Sequence, residues 1–316
     1  MKKYLLTGGA GFIGSHIVDA LAEDKNFVRV LDDLSSGKAE NLSRVIGKVE
    51  FINGDIRCRK TCERAVKGAD FVIHQAALRN VAVSLSRPEA YNEVNIQGTV
   101  NLLKAAVKNK VRLFVFASSS SVYGGASLMP QKECHLPQPV SPYALTKLAG
   151  EHYCRIFSLS FNLPTVCLRY FNVYGPRQAL DDQYSSVIPK FINRMLFNRP
   201  APVNGSGRQS RDFVYVADIV KANILATQKK NLFKGEAVNI ASGIDHSVLD
   251  IVAKLNKIMG KNIKPVFFSP RPADVFRTRA DLTQAKKKLG FKPATNFDQG
   301  LKLALEYFKE KWQRKQ

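Results

Sequence analysis

No uninterrupted apolar stretch in the 316-residue chain approaches the length of a bilayer span, which excludes a helical membrane protein although 45% of the residues are hydrophobic. Cysteine is scarce. The five, Cys58, Cys62, Cys134, Cys154 and Cys167, are odd in number and form no metal-type pair of pairs, so neither a disulfide framework nor a bound metal is expected. Cys58 and Cys62 read as residues of one helix, and Cys134-His135 as loop, because no second ligand cluster accompanies them. Acidic residues are also few, 26 against 48 Lys and Arg, which leaves a net charge of +22. The excess lysines are scattered along helices and turns, with short runs such as Lys229-Lys230 and Lys286-Lys287-Lys288, the pattern of a solvated surface. Without a recognised binding module or aromatic-basic interleaving, nucleic acid is not an expected partner, though such a field speeds capture of anionic ligands. Repeats, low-complexity tracts and long linkers are missing. So is a secretory signal, since Met1-Lys2-Lys3 leads straight into an apolar strand, and the cytoplasm is the expected compartment.

What is present is alternation. Strand-like runs at 49–53, 71–74, 113–117 and 165–169 are separated by amphipathic segments such as Glu89 to Lys108 and Tyr143 to Leu159. This predicts an α/β fold with a doubly wound parallel sheet, a Rossmann arrangement. From Phe171 onward, loops punctuated by Pro and Gly suggest a smaller α/β domain, and Glu236 to Ala241 reads as a late strand returning to the main sheet. The expected division is residues 1–172, with a returning segment around 212–241, against 173–211 and 242–316. Closing helices are expected from Ala280 to Leu289 and Phe297 to Trp312, with Trp312 as a packing anchor.

The first strand runs into Gly8-Gly9-Ala10-Gly11-Phe12-Ile13-Gly14 and then an apolar-periodic helix. Gly8 allows a tight turn, Gly11 lets backbone amides approach a pyrophosphate, and Gly14 permits close helix-to-strand packing. The spacing, Gly-x-x-Gly-x-x-Gly, departs from the commoner dinucleotide fingerprint and supports dinucleotide binding without deciding it. Asp32 ends the second strand 18 residues after Gly14, where a carboxylate can accept from adenosine ribose hydroxyls. That position argues for NAD over NADP, whose 2'-phosphate would meet a like charge. Further on, Ser141-Pro142 suits a helix start, so Tyr143 and Lys147 lie one turn apart on one helical face. An ammonium beside a phenol favours the phenolate, which marks a proton acceptor.

These features, with Asp32-Asp33-Leu34, Gly54-Asp55-Ile56-Arg57, His74-Gln75-Ala76-Ala77, Ser118 to Gly124, Leu168 to Asn172, Ser210 to Tyr215 and Arg271-Pro272-Ala273-Asp274, carry a resemblance over nearly the whole length. The chain resembles the extended short-chain dehydrogenase/reductases and, more narrowly, the UDP-hexose 4-epimerases. The resemblance implies that Asp33, Asp55, Ile56, Ala76 and Ala77 line the NAD groove with the glycine loop, and that Asn95 supports the site. It makes Ser120, Ser121, Asn172, Arg211, Arg271, Asp274 and Thr278 contacts to a UDP-sugar. A homodimer through the helices at 89–108 and 143–159 is implied too.

In the resembling family Tyr143 takes the proton of the sugar 4-hydroxyl, directly or through Ser119, while Lys147 holds the nicotinamide ribose and lowers the Tyr143 pKa. The sugar, oxidised at C4 by NAD, turns over while held by UDP and is reduced on its other face. Sugar-nucleotide 4,6-dehydratases place an acidic pair where Ser120 and Ser121 stand, and UDP-glucuronate decarboxylases an acid nearby. Glucuronate 4-epimerases follow Gly-Pro-Arg with a different loop and carry Thr in place of Asn172. A small Thr278, four on from Asp274, leaves room for an N-acetyl group, so UDP-GlcNAc and UDP-GalNAc are expected substrates alongside UDP-glucose and UDP-galactose. The rival readings are a UDP-glucuronate 4-epimerase, another NAD-dependent nucleotide-sugar oxidoreductase, and a non-catalytic binding protein of the same fold.

Overall fold

A computed structural model describes residues 1–125, 128–180, 186–229, 233–270 and 275–313. The first half alternates strand and helix: β1 (Lys3–Thr7), α1 (Phe12–Glu23), β2 (Phe27–Asp32), β3 (Glu50–Asn53), α2 (Arg59–Val66), β4 (Phe71–His74), α3 (Val81–Ser86), α4 (Pro88–Tyr91), α5 (Gly98–Lys108), β5 (Leu113–Ser119), α6 (Pro142–Phe161) and β6 (Thr165–Tyr170). There follow β7 (Asn172–Tyr174), α7 (Val187–Leu196), β8 (Pro202–Asn204), β9 (Ser210–Tyr215), α8 (Val216–Gln228), β10 (Glu236–Ile240), β11 (Asp245–Ser247), α9 (Val248–Met259), β12 (Val266–Phe268) and α10 (Phe297–Gln313).

Seven strands form one sheet in the order β10-β6-β5-β4-β1-β2-β3, and every pairing in it is parallel. A sheet covered on both faces needs apolar side chains on both, which is why β4, Phe71 to His74, and β6 are buried at every position. On one face Ile17, Val18, Val30, Ile73 and Ile219 pack together under α1 and α8. On the other, Leu5, Val72, Leu102, Phe114 and Phe116 pack under α2, α5 and α6. A second, three-stranded sheet has the order β11-β9-β7, and its core of Tyr174, Phe191, Phe213, Ile251 and Leu301 is closed by α7, α9 and α10. Among the described residues no helix is long and apolar enough to cross a membrane.

Local chemistry sets the helix ends. Ser141 Oγ accepts from Ala144 N at 3.2 Å with Pro142 in the first turn of α6, and Asn162 closes that helix in the left-handed region. Ser247 and Asp250 form a reciprocal capping box on α9, which ends at Gly260. Three segments differ from the sequence reading. The stretch expected as one amphipathic segment from Glu89 to Lys108 holds a π turn, Asn92–Gln97, between α4 and α5. Cys58 sits at the cap position before α2, not inside it. Ala280 pairs with Gln131 in an isolated β-bridge, and the helix expected from it reduces to a turn ending in the π segment Ala285–Leu289.

Candidate active site

The candidate residues gather at the carboxyl ends of the parallel strands, where strand order reverses between β1 and β4. Gly8, Gly11, Phe12, Ile13 and Gly14 line a groove together with Asp32, Asp33, Asp55, Ile56, Ala76 and Ala77. A Cβ on Gly14 would lie 2.1 Å from the Gly8 carbonyl oxygen, and one on Gly8, where φ is +69°, would lie 2.6 Å from Ala76 N. Only glycine lets the turn close this tightly. No side chain caps the N-terminus of α1, so the amides of its first turn are open to an anion. This cradle fits the pyrophosphate of NAD.

Asp32 is buried, accepting from Ala10 N and Leu34 N at 2.9 Å each. Burial pushes its pKa up and the two amides pull it back. Each carboxylate oxygen keeps a lone pair for a ribose hydroxyl. Asp33 stands on the exposed rim and holds Ser35 N at 3.0 Å, while Asp55 pairs with Arg57 at 2.6 Å. Asn95 lies behind the groove, in the π turn: its side chain accepts from Leu78 N at 2.8 Å and donates to Leu78 O at 2.9 Å and Thr146 Oγ1 at 3.0 Å. Thr146 donates in turn to the Tyr143 carbonyl at 2.8 Å. Asn95 therefore fastens the loop after β4 to the helix that bears Tyr143.

That helix lies close on β5 because Gly150 faces Phe116: a Cβ there would be 2.3 Å from the ring. The close approach brings Tyr143 toward Ser119 at the end of β5, near enough for the serine hydroxyl to act on the phenol. Lys147 is buried, donates to Ala117 O at 2.8 Å and lies 5.9 Å from the Tyr143 ring centroid. Burial pulls its pKa down to about 8. For Tyr143, burial pushes the pKa up, while the Ser119 hydroxyl and the Arg79 charge pull it down, and the net direction is upward. The expectation that Lys147 lowers it is corrected here: the ammonium sits against a carbonyl beneath the ring, and desolvation of the phenolate outweighs the charges around it. Arg79 also lines the groove, so the cation that acts on Tyr143 stands where a cofactor would lie.

Ser120 and Ser121 follow Ser119 in a 3-10 turn, Ser120–Tyr123, and both are half-buried. A second groove is lined by Asn172 and Arg211 with Lys190, Phe191 and Asn204. Thr278 is buried beside it, its hydroxyl 3.5 Å from Asn172 Nδ2 and 3.4 Å from Asp212 N. Arg271 and Asp274 lie outside the described residues. Among the described residues no group of three or more His, Cys, Asp or Glu is placed to hold a metal.

Sequence reasoning missed several contributors. Arg177, Gln178 and Lys311 line the first groove, and Trp312, read as a packing anchor, does so while its ring meets Phe197 edge-on at 5.0 Å. His74, quoted only within a motif, is fully engaged: Nδ1 is 2.7 Å from Thr7 Oγ1 and Nε2 is 2.9 Å from Thr99 Oγ1. Burial, with the Lys147 charge added, pushes its pKa down to about 3, so it is a neutral strut. Glu151 sits two turns past Tyr143, buried, and holds Arg169 through two bonds of 2.8 and 2.7 Å as well as the Ser118 hydroxyl. The spacing of Tyr143, Lys147 and Glu151 along one helix face was the available signal.

A parallel sheet with a glycine-rich turn at its switch point and a Ser, Tyr, Lys cluster at its carboxyl edge defines an extended short-chain dehydrogenase/reductase. The profile of the NAD dependent epimerase/dehydratase family matches residues 4–241, and the chain belongs to that family. It is similar to the UDP-glucose 4-epimerase of Mycolicibacterium smegmatis, 36% identical over 98% of this chain and 99% of that one. Among solved structures, it resembles a UDP-N-acetylglucosamine 4-epimerase from Methanobrevibacter ruminantium in complex with UDP-N-acetylmuramic acid, at 38% identity and a TM-score of 0.93 over 98% of this chain and 99% of that one. A UDP-glucose 4-epimerase from Thermotoga maritima with UDP-glucose gives 38% identity and a TM-score of 0.92 over the same shares.

Proposed function

We propose that the chain is an NAD-dependent 4-epimerase of UDP-hexoses that interconverts UDP-GlcNAc with UDP-GalNAc and UDP-glucose with UDP-galactose. The observation that carries this reading is Tyr143, whose phenol feels the Ser119 hydroxyl and whose ring lies 5.9 Å from the ammonium of the buried Lys147 one helical turn on. NAD, when bound, supplies the site that takes a hydride from the sugar carbon and returns it. The chain's own residues do the rest. Tyr143 receives the proton of the 4-hydroxyl and gives it back, and Lys147 keeps a positive charge beneath its ring. Asn172 and Arg211 hold the UDP end in the second groove. Polar anchoring at that end leaves the sugar free to present either face. Beside Ser119 stand the hydroxyls of Ser120 and Ser121, with no carboxylate to drive elimination or decarboxylation.

Incubating the purified protein separately with UDP-GlcNAc and UDP-glucose, without added cofactor, tests the proposal. NMR of the sugars should show inversion at C4 with no net NADH. Accumulating NADH would point instead to a dehydrogenase that releases its cofactor. Thr278 governs the finer choice: Thr278→Tyr should remove turnover of the N-acetylated pair selectively, and equal activity on both pairs in that variant would refute the gate. We also propose a homodimer, supported by the exposed Ile156, Leu159 and Phe161 of α6. Sedimentation at micromolar concentration would show a monomer if that is wrong.

A further inference from the structure

The last helix belongs to one sheet along its length and meets the other at its end. Along α10, Phe297, Leu301, Ala304, Leu305 and Phe308 recur at helical spacing and are buried in the core of the three-stranded sheet. Trp312 is the next step of that stripe, four residues past Phe308, yet it lines the glycine-rich groove of the first sheet together with Lys311. Phe197 steadies its ring from the edge at 5.0 Å. Across the groove, Lys38 N and Asn41 Nδ2 both donate to Ala10 O, at 2.9 and 2.8 Å, which fastens the rim to the glycine turn. Glu40 lies in the 3-10 turn Ala39–Val45 that starts from that rim, and Lys311 Nζ reaches Glu40 Oε1 at 3.3 Å.

We propose that the last turn of α10 is a latch on the cofactor groove: Trp312 covers bound NAD and Lys311 ties that cover to the rim, so that the nucleotide stays in place through successive turnovers. The chemistry has a use for such a device. A hydride returned to the sugar it came from leaves the cofactor unchanged, so release between turnovers serves nothing. The two residues divide the task unequally. The ion pair of Lys311 is open to water, with Glu40 61% exposed, and pairs of that kind hold little, so Lys311 sets the alignment. An indole presents a wide, flat, largely apolar face on only two rotatable bonds, so the holding falls to Trp312. Because its ring rides on the helix of the second sheet while the glycine turn belongs to the first, the latch opens by moving the end of α10 against the rim. The inference rests on the NAD site alone and holds for any sugar that the second groove takes.

Trp312 is the single tryptophan of the chain, so indole fluorescence reports this residue alone. Acrylamide should quench it less in the NAD-loaded protein than after the nucleotide has been dialysed away. Release is followed without substrate by diluting the loaded protein into alcohol dehydrogenase and ethanol, which reduce only free NAD. Trp312→Ala should release NAD about tenfold faster, the scale of one lost aromatic contact, and Trp312→Phe should keep most of the retention. Lys311→Ala should speed release only about twofold, as an exposed ion pair allows. The melting temperature of each variant without NAD should match that of the wild type. Unchanged release from Trp312→Ala, or quenching indifferent to NAD, overturns the proposal. So does faster release that comes only with a lowered NAD-free melting temperature, which assigns Trp312 to packing. If Trp312→Ala does not fold, Lys311→Glu, which sets two carboxylates against each other at the rim, should speed release, and an unchanged rate there is equally fatal. Failure of the epimerase reading is separately visible, because these measurements use no sugar and a wild type that inverts no UDP-sugar still yields them.

Discussion

The seven-stranded sheet and the three-stranded sheet hold their shape by different means. Strands of four to seven residues, fully paired in parallel, carry the first, and of its buried carboxylates Glu151 is answered by a full charge on Arg169 while Asp32 is held by backbone amides. In the second, β7 and β11 are three residues long, and the buried carboxylate, Asp212, is answered only by dipoles: Ser242 N at 2.8 Å, Ser242 Oγ at 2.7 Å, Gly243 N at 3.0 Å and Ala280 N at 3.1 Å. Those four bonds tie β9 to the loop after β10 and to the segment that carries Thr278. The contrast teaches that the Tyr143 cluster is mounted on a self-supporting ladder, whereas the groove of Asn172 and Arg211, where we propose the UDP end is held, is shaped by a side-chain clamp. A substitution in the first region can remove catalysis and spare the fold. In the second, on the proposed reading, fold and substrate binding should change together.

The sharpest test is Tyr143→Phe, which should lower turnover about a thousandfold, within the usual range for a lost acid-base group, while leaving the melting temperature unchanged. A variant that also unfolds would break the contrast. Next comes Glu151→Ala, which leaves Arg169 charged and buried and should cost about 3 to 5 kcal/mol in denaturant titration. If the cost is under 1 kcal/mol, the ladder does not depend on the pair. Asp212 should give the smallest effect, and one that depends on pH. Its pKa is pushed up to about 6 by burial, against the opposing hydrogen bonds. The native state therefore holds the proton more tightly than the unfolded chain. The stabilisation is complete below about pH 4 and lost as pH rises through 6, about 3 kcal/mol in all. Asp212→Asn should erase that slope and raise KM for UDP-sugars with bound NAD unchanged. A variant that keeps the slope, or loses NAD, would show that the clamp is not local to the second sheet.

Much of the first region was legible because its signals are local. The strand Phe71 to His74 and the cap at Ser141-Pro142 are written in adjacent residues, and the late strand near Glu236 announces itself by its own apolar run. The Tyr143 helix was legible for the same reason. What was hidden depends on partners distant in the chain. Nothing near Glu151 names Arg169, and nothing near Asp212 names Ala280. The π turn at Asn92–Gln97 hid because a periodic apolar pattern continues through it. The pKa of Tyr143 was misjudged in direction because spacing reports a neighbouring charge but not the depth at which the phenol is buried.

The strand β10 pairs with β6, and Phe171 N donates to Ile240 O at 3.0 Å. A nascent chain consequently cannot finish its largest sheet when residue 170 has left the ribosome; it must wait for some seventy more residues. Through that interval β6 presents an unpaired edge, the kind of surface that recruits chaperones or other strands. Premature termination between the two strands should yield insoluble product, and translation speed across that window bears directly on the yield of folded enzyme.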